Sequence, residues 1–246
     1  MIELNKLEQY CNELLSAAEF EDYCPNGLQV ESGKLAIERI ATAVTASQAV
    51  VEAAADVDLL LVHHGYFWRG ESLPLTGIKG RRIRTLIGNG TSLMAYHLPL
   101  DAHPTLGNNA RLGELMGFDK AVPLNKGLVW QGEWAEGGQE ALSDRLAQVL
   151  GRQPLFIKGH GGDTRHVGWC TGAAQSAIVE AAAAGLDTFI SGEISESTTH
   201  LARELGIHYF AAGHHATERY GIQALGQHLA EQFDLTHRFI DEINPV

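Results

Sequence analysis

Cysteine is scarce in this chain, and long apolar runs are absent. Cys11, Cys24 and Cys170 are its three cysteines; they form no C-x-x-C pair and their number is odd, which argues against both a disulfide framework and a thiolate zinc site. Each reads as a small buried apolar group. No stretch of about 18 apolar residues offers a membrane-spanning helix, and Met1-Ile2-Glu3-Leu4-Asn5 lacks the basic-then-apolar order of a signal peptide. The expectation is a soluble, cytoplasmic protein with no membrane partner. Basic residues are also few: 18 Lys and Arg stand against 30 Asp and Glu, for a formal charge of -12. That balance opposes bulk nucleic-acid binding, because few phosphates can be neutralised. The phosphate-loop patterns G-x-x-x-x-G-K-[ST] and G-x-G-x-x-G do not occur, nor does the hydrolase elbow G-x-S-x-G.

What is present is a chain of 246 residues, 45% of them hydrophobic, with 12 histidines. That is enough apolar material for one large or two ordinary domains. Leu4, Leu7, Cys11, Leu14, Leu15 and Ala18 recur at helical spacing, with Asn5 and Glu8 resembling a capping box. After the turn-like Tyr-Cys-Pro-Asn-Gly at 23–27 the pattern predicts strand 40–44, helix 47–55, strand 58–62, helix 81–87, strand 92–96 and helix 109–116. A polar, Gly-rich stretch from 123 to 138 interrupts this order. Thereafter the pattern predicts helix 140–150, strands 155–158 and 166–170, helix 175–184, strand 187–191, helix 195–205, strand 208–211, helix 217–232 and strand 236–241. The fold class expected is α/β, with two halves, 1–122 and 123–246, and largely parallel sheets.

The two halves resemble each other. Val50-Val51-Glu52-Ala53-Ala54-Ala55 parallels Ile178-Val179-Glu180-Ala181-Ala182-Ala183, and each is followed by an aspartate, Asp58 or Asp187, that opens an apolar strand. The first of those strands ends in His63-His64-Gly65 and the second in Gly192-Glu193. One helix and one strand later come His97 with Asp101 and His214 with Glu218, each a histidine with a carboxylate four positions on.

Ligands of parallel α/β sheets bind beyond the carboxyl ends of the strands, which is where all these groups fall. Imidazole with carboxylate is a donor set for zinc, iron, manganese or nickel. Adjacent residues of an extended strand point to opposite faces, so His63 and His64 are expected to serve two ions, one each. If a helix begins at 214, Glu218 lies one turn from His214 and can span both ions, with Asp101 completing the second site. Paired ions clamp a water and lower its pKa. Pro99 disfavours a regular helix after His97, which makes His97 a pocket residue rather than a ligand. His215 points away from His214 and is given a supporting role. His103, His160, His166, His200, His208, His228 and His237 lack any supporting pattern and read as surface or core. Asn26 and the Gly172 turn are read as ordinary turns, with Asn26 a secondary pocket candidate and Gly172 a secondary candidate for facing an anionic group.

The segments Pro-Asn-Gly-Leu-Gln-Val at 25–30, Val-His-His-Gly-Tyr-Phe-Trp at 62–68, His-Leu-Pro-Leu-Asp at 97–101, Ser-Gly-Glu at 191–193 and Gly-His-His-Ala-Thr-Glu at 213–218 together resemble the Nif-three-like family, also called GTP cyclohydrolase I type 2 homologues. The likeness runs through essentially the whole chain and is closest to the short bacterial members. It implies two intertwined α/β repeats with mostly parallel mixed sheets, and a dinuclear centre between them with His64 and Asp101 on one ion, His63 and His214 on the other, and Glu218 bridging. It also implies a toroidal homohexamer whose sites face an internal cavity. The leading functional expectation is a divalent-metal-dependent hydrolase acting on a small nucleotide- or pterin-like substrate, with His97 and Glu193 as catalytic residues that move protons. The alternative is a non-catalytic, metal-binding, ring-shaped scaffold or ligand-binding protein.

Overall fold

The structure is a computed structural model that describes residues 1–159 and 162–246; His160 lies outside the described residues. The chain forms two compact units. The first comprises Met1–Leu100 and Gly221–Ile243, the second Asp101–Tyr220 and Asn244–Val246.

The first unit is built on a five-stranded sheet in the order Thr236–Phe239, Arg39–Thr45, Leu59–His64, Ser92–Ala95, Gly27–Val30. The first four strands run parallel and Gly27–Val30 closes the edge antiparallel. Residues 40–44 and 59–63 are buried throughout, which is why both read as unbroken apolar runs: helices or loops cover each face of a parallel sheet. Ser47 accepts a hydrogen bond from the Val50 amide at 3.2 Å and so caps the Gln48–Ala53 helix. Val50, Val51, Leu60, Val62, Ile83 and Leu86 pack into one core. The Leu4–Leu14 helix buries Leu4, Leu7 and Cys11 as its spacing requires. Its start is not the expected capping box, since Glu3 occupies the cap position without a side-chain bond. The Glu8 carboxylate instead accepts from the Leu28 amide at 2.8 Å.

The second unit carries a six-stranded sheet in the order Asp119–Leu124, Val129–Glu133, His166–Cys170, Thr188–Ser191, His208–Ala211, Leu155–Ile157. Its three inner strands from 166 onward are parallel, and the remaining pairings are antiparallel. The polar stretch that interrupts the sequence pattern is therefore not a linker but a strand pair. Asp119–Leu124 is mostly exposed, so it shows none of the apolar alternation by which a half-buried strand is read. One core gathers Leu142, Leu146, Trp169, Ile190 and Phe210, and another gathers Ile178, Phe189 and Tyr209.

A shared device starts the parallel strands in both units. Asp58 donates its amide to the Arg39 carbonyl at 2.9 Å and accepts at its own carbonyl from Ser92 at 3.0 Å; Asp187 makes the same links to His166 at 3.0 Å and His208 at 2.8 Å. The side chains repeat the pattern. Asp58 takes the amides of Glu38 and Arg39, both at 2.9 Å, and Asp187 those of Arg165 and His166 at 3.0 and 2.8 Å. Each carboxylate thus satisfies amide donors at the start of a neighbouring strand. Burial would raise the Asp58 pKa, but hydrogen bonds from Lys34 and the two amides, with the Lys34 charge, outweigh it and hold the carboxyl below its usual range.

Removing that buried acceptor leaves two strand amides unpaired, a loss of about 1–3 kcal/mol for each group. Asp58→Ala is expected to cost about 3 kcal/mol of unfolding free energy in urea titration, more than Asp187→Ala at its half-exposed position. Because the folded-state pKa is depressed, the charge-dependent contribution of Asp58 is complete above the ordinary carboxylate pKa of about 3.9 and vanishes as pH falls through the folded value. The stability gap between wild type and Asp58→Asn is expected to narrow as pH falls from about 5 toward 2.

Candidate metal centre

In the first unit the Leu59–His64 strand delivers His63, fully buried, and His64, half-buried, at its carboxyl end. The His63 Nδ1–H donates to the Tyr96 carbonyl at 2.9 Å, just past the end of the Ser92–Ala95 strand. His64 Nδ1 pairs with the Thr45 hydroxyl at 3.1 Å, at the end of the Arg39–Thr45 strand. The two ring centroids lie 4.6 Å apart, closer than side chains on opposite faces of an extended strand come. The expectation that the pair points to opposite faces therefore does not hold at this terminus. His97 completes the group, with its ring 5.1 Å from His63 and 5.7 Å from His64. One ligand nitrogen from each of the three imidazoles lies within 4.8 Å of the others.

His97 is held by the loop 22–26. Its Nδ1 bonds Asp22 Oδ1 at 2.7 Å, and its amide donates to Asn26 Oδ1 at 2.8 Å. Asp22 Oδ2 accepts from the Leu98 amide and from Asn26 Nδ2, both at 2.9 Å. Burial would raise the Asp22 pKa, but the hydrogen bonds of His97, Asn26 and the Tyr23 amide, with the His97 charge, bring it down to about 2. Asp22 also supplies an acceptor for the first amide of the Leu98–Ala102 helix. That helix forms despite Pro99, because a proline in the first turn has no intrahelical hydrogen bond to lose. Trp68 closes on the same ring, 5.0 Å from His97 edge-on.

In the second unit the loops after three neighbouring strands supply the functional groups. Glu193 follows Thr188–Ser191, and Thr171 and Gly172 follow His166–Cys170. The helix His214–Thr217, entered through Gly213 after His208–Ala211, presents His214 and places Glu218 at its end. His214 Nδ1 bonds Glu193 Oε1 at 2.6 Å, and its Nε2 lies 3.1 Å from Glu218 Oε2. Burial opposes protonation of His214, but hydrogen bonds and charge from Glu218 and Glu193 prevail and hold its pKa up at about 9. Asp101 and Glu218, both buried, bring carboxylate oxygens within 4.8 Å of each other. Asp101 Oδ1 accepts from Asn108 Nδ2 at 2.8 Å and from the Thr171 hydroxyl at 3.4 Å. Asn109 donates to the Asp101 carbonyl at 3.2 Å and accepts from the Thr171 amide at 3.0 Å. Burial, with the carboxylates of Asp101 and Glu218, pushes the Cys170 thiol well above its usual pKa. It remains an inert thiol, as Cys11 and Cys24 do.

The structure thus groups His63, His64 and His97 in one unit, and Asp101, Glu193, His214 and Glu218 in the other. Glu193 faces His214 through a direct hydrogen bond, and Asn26 lines the His97 setting rather than forming a plain turn. Asp22, Thr45, Asn108, Asn109 and Thr171 were not singled out in the sequence. Asp22 lies 75 positions from the histidine it holds, a separation that carries no local spacing signal. Among the other described histidines, His208 bonds Gly159 and Gly162, His228 bonds Tyr10, His237 bonds Thr42, His200 bonds Glu196 and His103 bonds the Leu106 amide.

The donors fit a divalent ion of the zinc, iron, manganese or nickel kind. His63, His64 and His214 each have Nδ1 tied to a carbonyl, hydroxyl or carboxylate oxygen, which fixes the ring and leaves Nε2 as its remaining donor atom. This is the outer-sphere pattern of histidine metal ligands.

Mixed α/β sheets bearing imidazole–carboxylate clusters at the ends of parallel strands define a class of protein with candidate metal-binding groups. The family model described as Duf34/NIF3 (NGG1p interacting factor 3) matches residues 2–245, and the chain belongs to that family. It is 52% identical over 250 residues to an Allochromatium vinosum protein named GTP cyclohydrolase 1 type 2 homolog, covering 100% of this chain and 98% of the relative. It is 54% identical to the Vibrio cholerae protein of the same name, with 98% of each covered. A solved structure described as protein ybgI of unknown function superposes with a TM-score of 0.96 at 48% identity, covering 100% of both chains.

Gly172 shows how tightly the second unit's site is built. Its φ is +68°, its amide donates to the Thr217 hydroxyl at 3.1 Å, and a Cβ there would sit 2.1 Å from Glu218 Oε1. Gly185, also left-handed at φ +79°, has open space around it. Gly185→Ala is expected to lower stability by about 1 kcal/mol, the backbone cost alone. Gly172→Ala is expected to cost about 3 kcal/mol or more by thermal unfolding, since it must also displace a buried carboxylate.

Proposed function

We propose that the chain is a divalent-metal-dependent hydrolase with a dinuclear centre, His64 and Asp101 holding one ion, His63 and His214 the other, and Glu218 bridging. The observation that carries this reading is the engagement of the histidine Nδ1 atoms by Tyr96, Thr45 and Glu193, which fixes the rings and leaves Nε2 of each as the atom for an ion. A bound pair of such ions supplies Lewis acidity and a water acidified toward neutral pKa.

The chain's own residues do the rest. Asn108 and Thr171 fix the Asp101 carboxylate by occupying Oδ1. Glu193 orients His214, and a proton arriving at the His214 Nδ1 side has the Glu193 carboxylate as its acceptor. His97, fixed by Asp22, faces the same pocket as the other imidazoles and moves the second proton. Trp68 covers that side and limits water access. The substrate class proposed is a small nucleotide- or pterin-like molecule, in line with the name its relatives carry. The same resemblance supports a ring-shaped homohexamer working in the cytoplasm.

Purified protein is expected to carry close to two metal ions per chain by elemental analysis. His64→Ala and Glu218→Ala are each expected to lose metal and at least 100-fold in turnover. For an unknown substrate, the assay is incubation of the metal-loaded protein with a cell metabolite extract, read by mass spectrometry against Glu218→Ala. Conversion of a nucleotide or pterin by the wild type alone supports the reading. Turnover that survives complete metal removal defeats it, and tight ligand binding without conversion indicates a metal-stabilised binding protein instead.

A further inference from the structure

The residue that the two-ion arrangement leaves out is His97, yet the first unit treats it like the other two imidazoles. All three have Nδ1 engaged by an oxygen: His63 by the Tyr96 carbonyl at 2.9 Å, His64 by the Thr45 hydroxyl at 3.1 Å and His97 by the Asp22 carboxylate at 2.7 Å. The three acceptors come from three separate segments, so the rings are fixed independently. They nevertheless converge, with ring centroids between 4.6 and 5.7 Å apart and one ligand nitrogen of each within 4.8 Å of the others. An ion with Zn–N distances of about 2.0–2.1 Å and tetrahedral angles sets its donor nitrogens about 3.3 Å apart. The Asp22–His97 pair is, moreover, a carboxylate–imidazole couple of the kind that orients a metal ligand and raises its basicity.

We propose that the first unit by itself holds one ion through Nε2 of His63, His64 and His97, with Asp22 as the outer-sphere partner of His97, and that metal loading of the chain begins there. The inference rests on the metal-binding reading above but not on its second ion or on any reaction. Three imidazoles with no carboxylate in the first sphere favour iron, cobalt, nickel, copper and zinc over magnesium and calcium, and bind manganese most weakly of the transition ions. The arriving ion is therefore screened by the first unit before the carboxylates of the second unit are engaged. When a second ion follows, His63 and His64 divide between the two, and His97 returns to the pocket wall.

The test is a titration of the metal-free full-length chain with Co²⁺, followed by visible absorption, by elemental analysis after desalting, and by paramagnetically shifted proton signals. At substoichiometric Co²⁺ the wild type is expected to show three shifted exchangeable Nδ1–H signals, one for each ligating imidazole. His97→Gln is expected to remove one of them and weaken the first binding step at least 100-fold. Asp22→Asn, which leaves the ring in place, is expected to weaken that step about 10–100-fold. A chain carrying both Asp101→Asn and Glu218→Gln is expected to retain one equivalent of Co²⁺, lost on adding His97→Gln. The proposal is overturned if the first step is indifferent to His97→Gln, or if the Asp101→Asn, Glu218→Gln chain keeps the wild-type circular dichroism spectrum yet binds no Co²⁺. Failure of the two-ion reading has a separate signature, saturation of the wild type at one equivalent.

Discussion

The candidate site depends on a single kind of hydrogen bond, the one that ties a histidine Nδ1 to an oxygen supplied by the neighbouring framework. An imidazole on a strand end has two free torsions and two possible tautomers, and a metal or a substrate can use only one combination of these. The Tyr96 carbonyl orients the ring of His63, Thr45 that of His64, Asp22 that of His97 and Glu193 that of His214. Each of those oxygens is itself placed by a strand end or by a loop anchored to one. The precision of the site therefore comes from the sheets.

The two units repeat a scaffold while varying its chemistry. Asp58 and Asp187 make the same main-chain and side-chain links at the starts of their parallel strands. At the opposite ends the repeat diverges, with His63 and His64 closing one strand and Gly192 and Glu193 following the other. The first unit consequently offers neutral nitrogen donors, and the second offers carboxylates around a single imidazole. An imidazole cluster discriminates among cations by softness, whereas carboxylates contribute charge and bridging capacity. Two units that share a structural carboxylate and differ at their strand ends thus present two different donor sets.

Close approach of backbone to functional groups is the other recurrent feature. Gly172 admits the Glu218 carboxylate where any side chain would collide with it. Phe67, two residues after Gly65, adopts a left-handed φ of 66°, an uncommon conformation for a bulky residue and one that clusters at functional turns. Trp68 follows directly and reaches His64 and His97. The strained turn thus sets the aromatic wall beside the histidines.

Local residue chemistry was enough to read the alternation of strands and helices, the buried parallel strands and the histidines and carboxylates at their ends. Those signals are short-range: Leu59 to Val62 is apolar because both faces of its strand are covered, and Leu4, Leu7 and Cys11 share one helix face. The strand 119–124 was not legible, because an exposed edge strand shows no burial pattern. Nor was the direction of the His63 and His64 rings, since strand alternation predicts opposite faces and hydrogen bonds at the strand end override it. Asp22, Asn108, Asn109 and Thr171 acquire their roles only through contacts made by folding, three of them across 62 to 75 residues of chain or at the ends of strands. The amino-acid sequence by itself determined which donor atoms the protein possesses and on which element each sits. Only the tertiary structure decided how those atoms are oriented, because orientation is imposed by oxygens from distant segments, and such segments meet only when the sheets form.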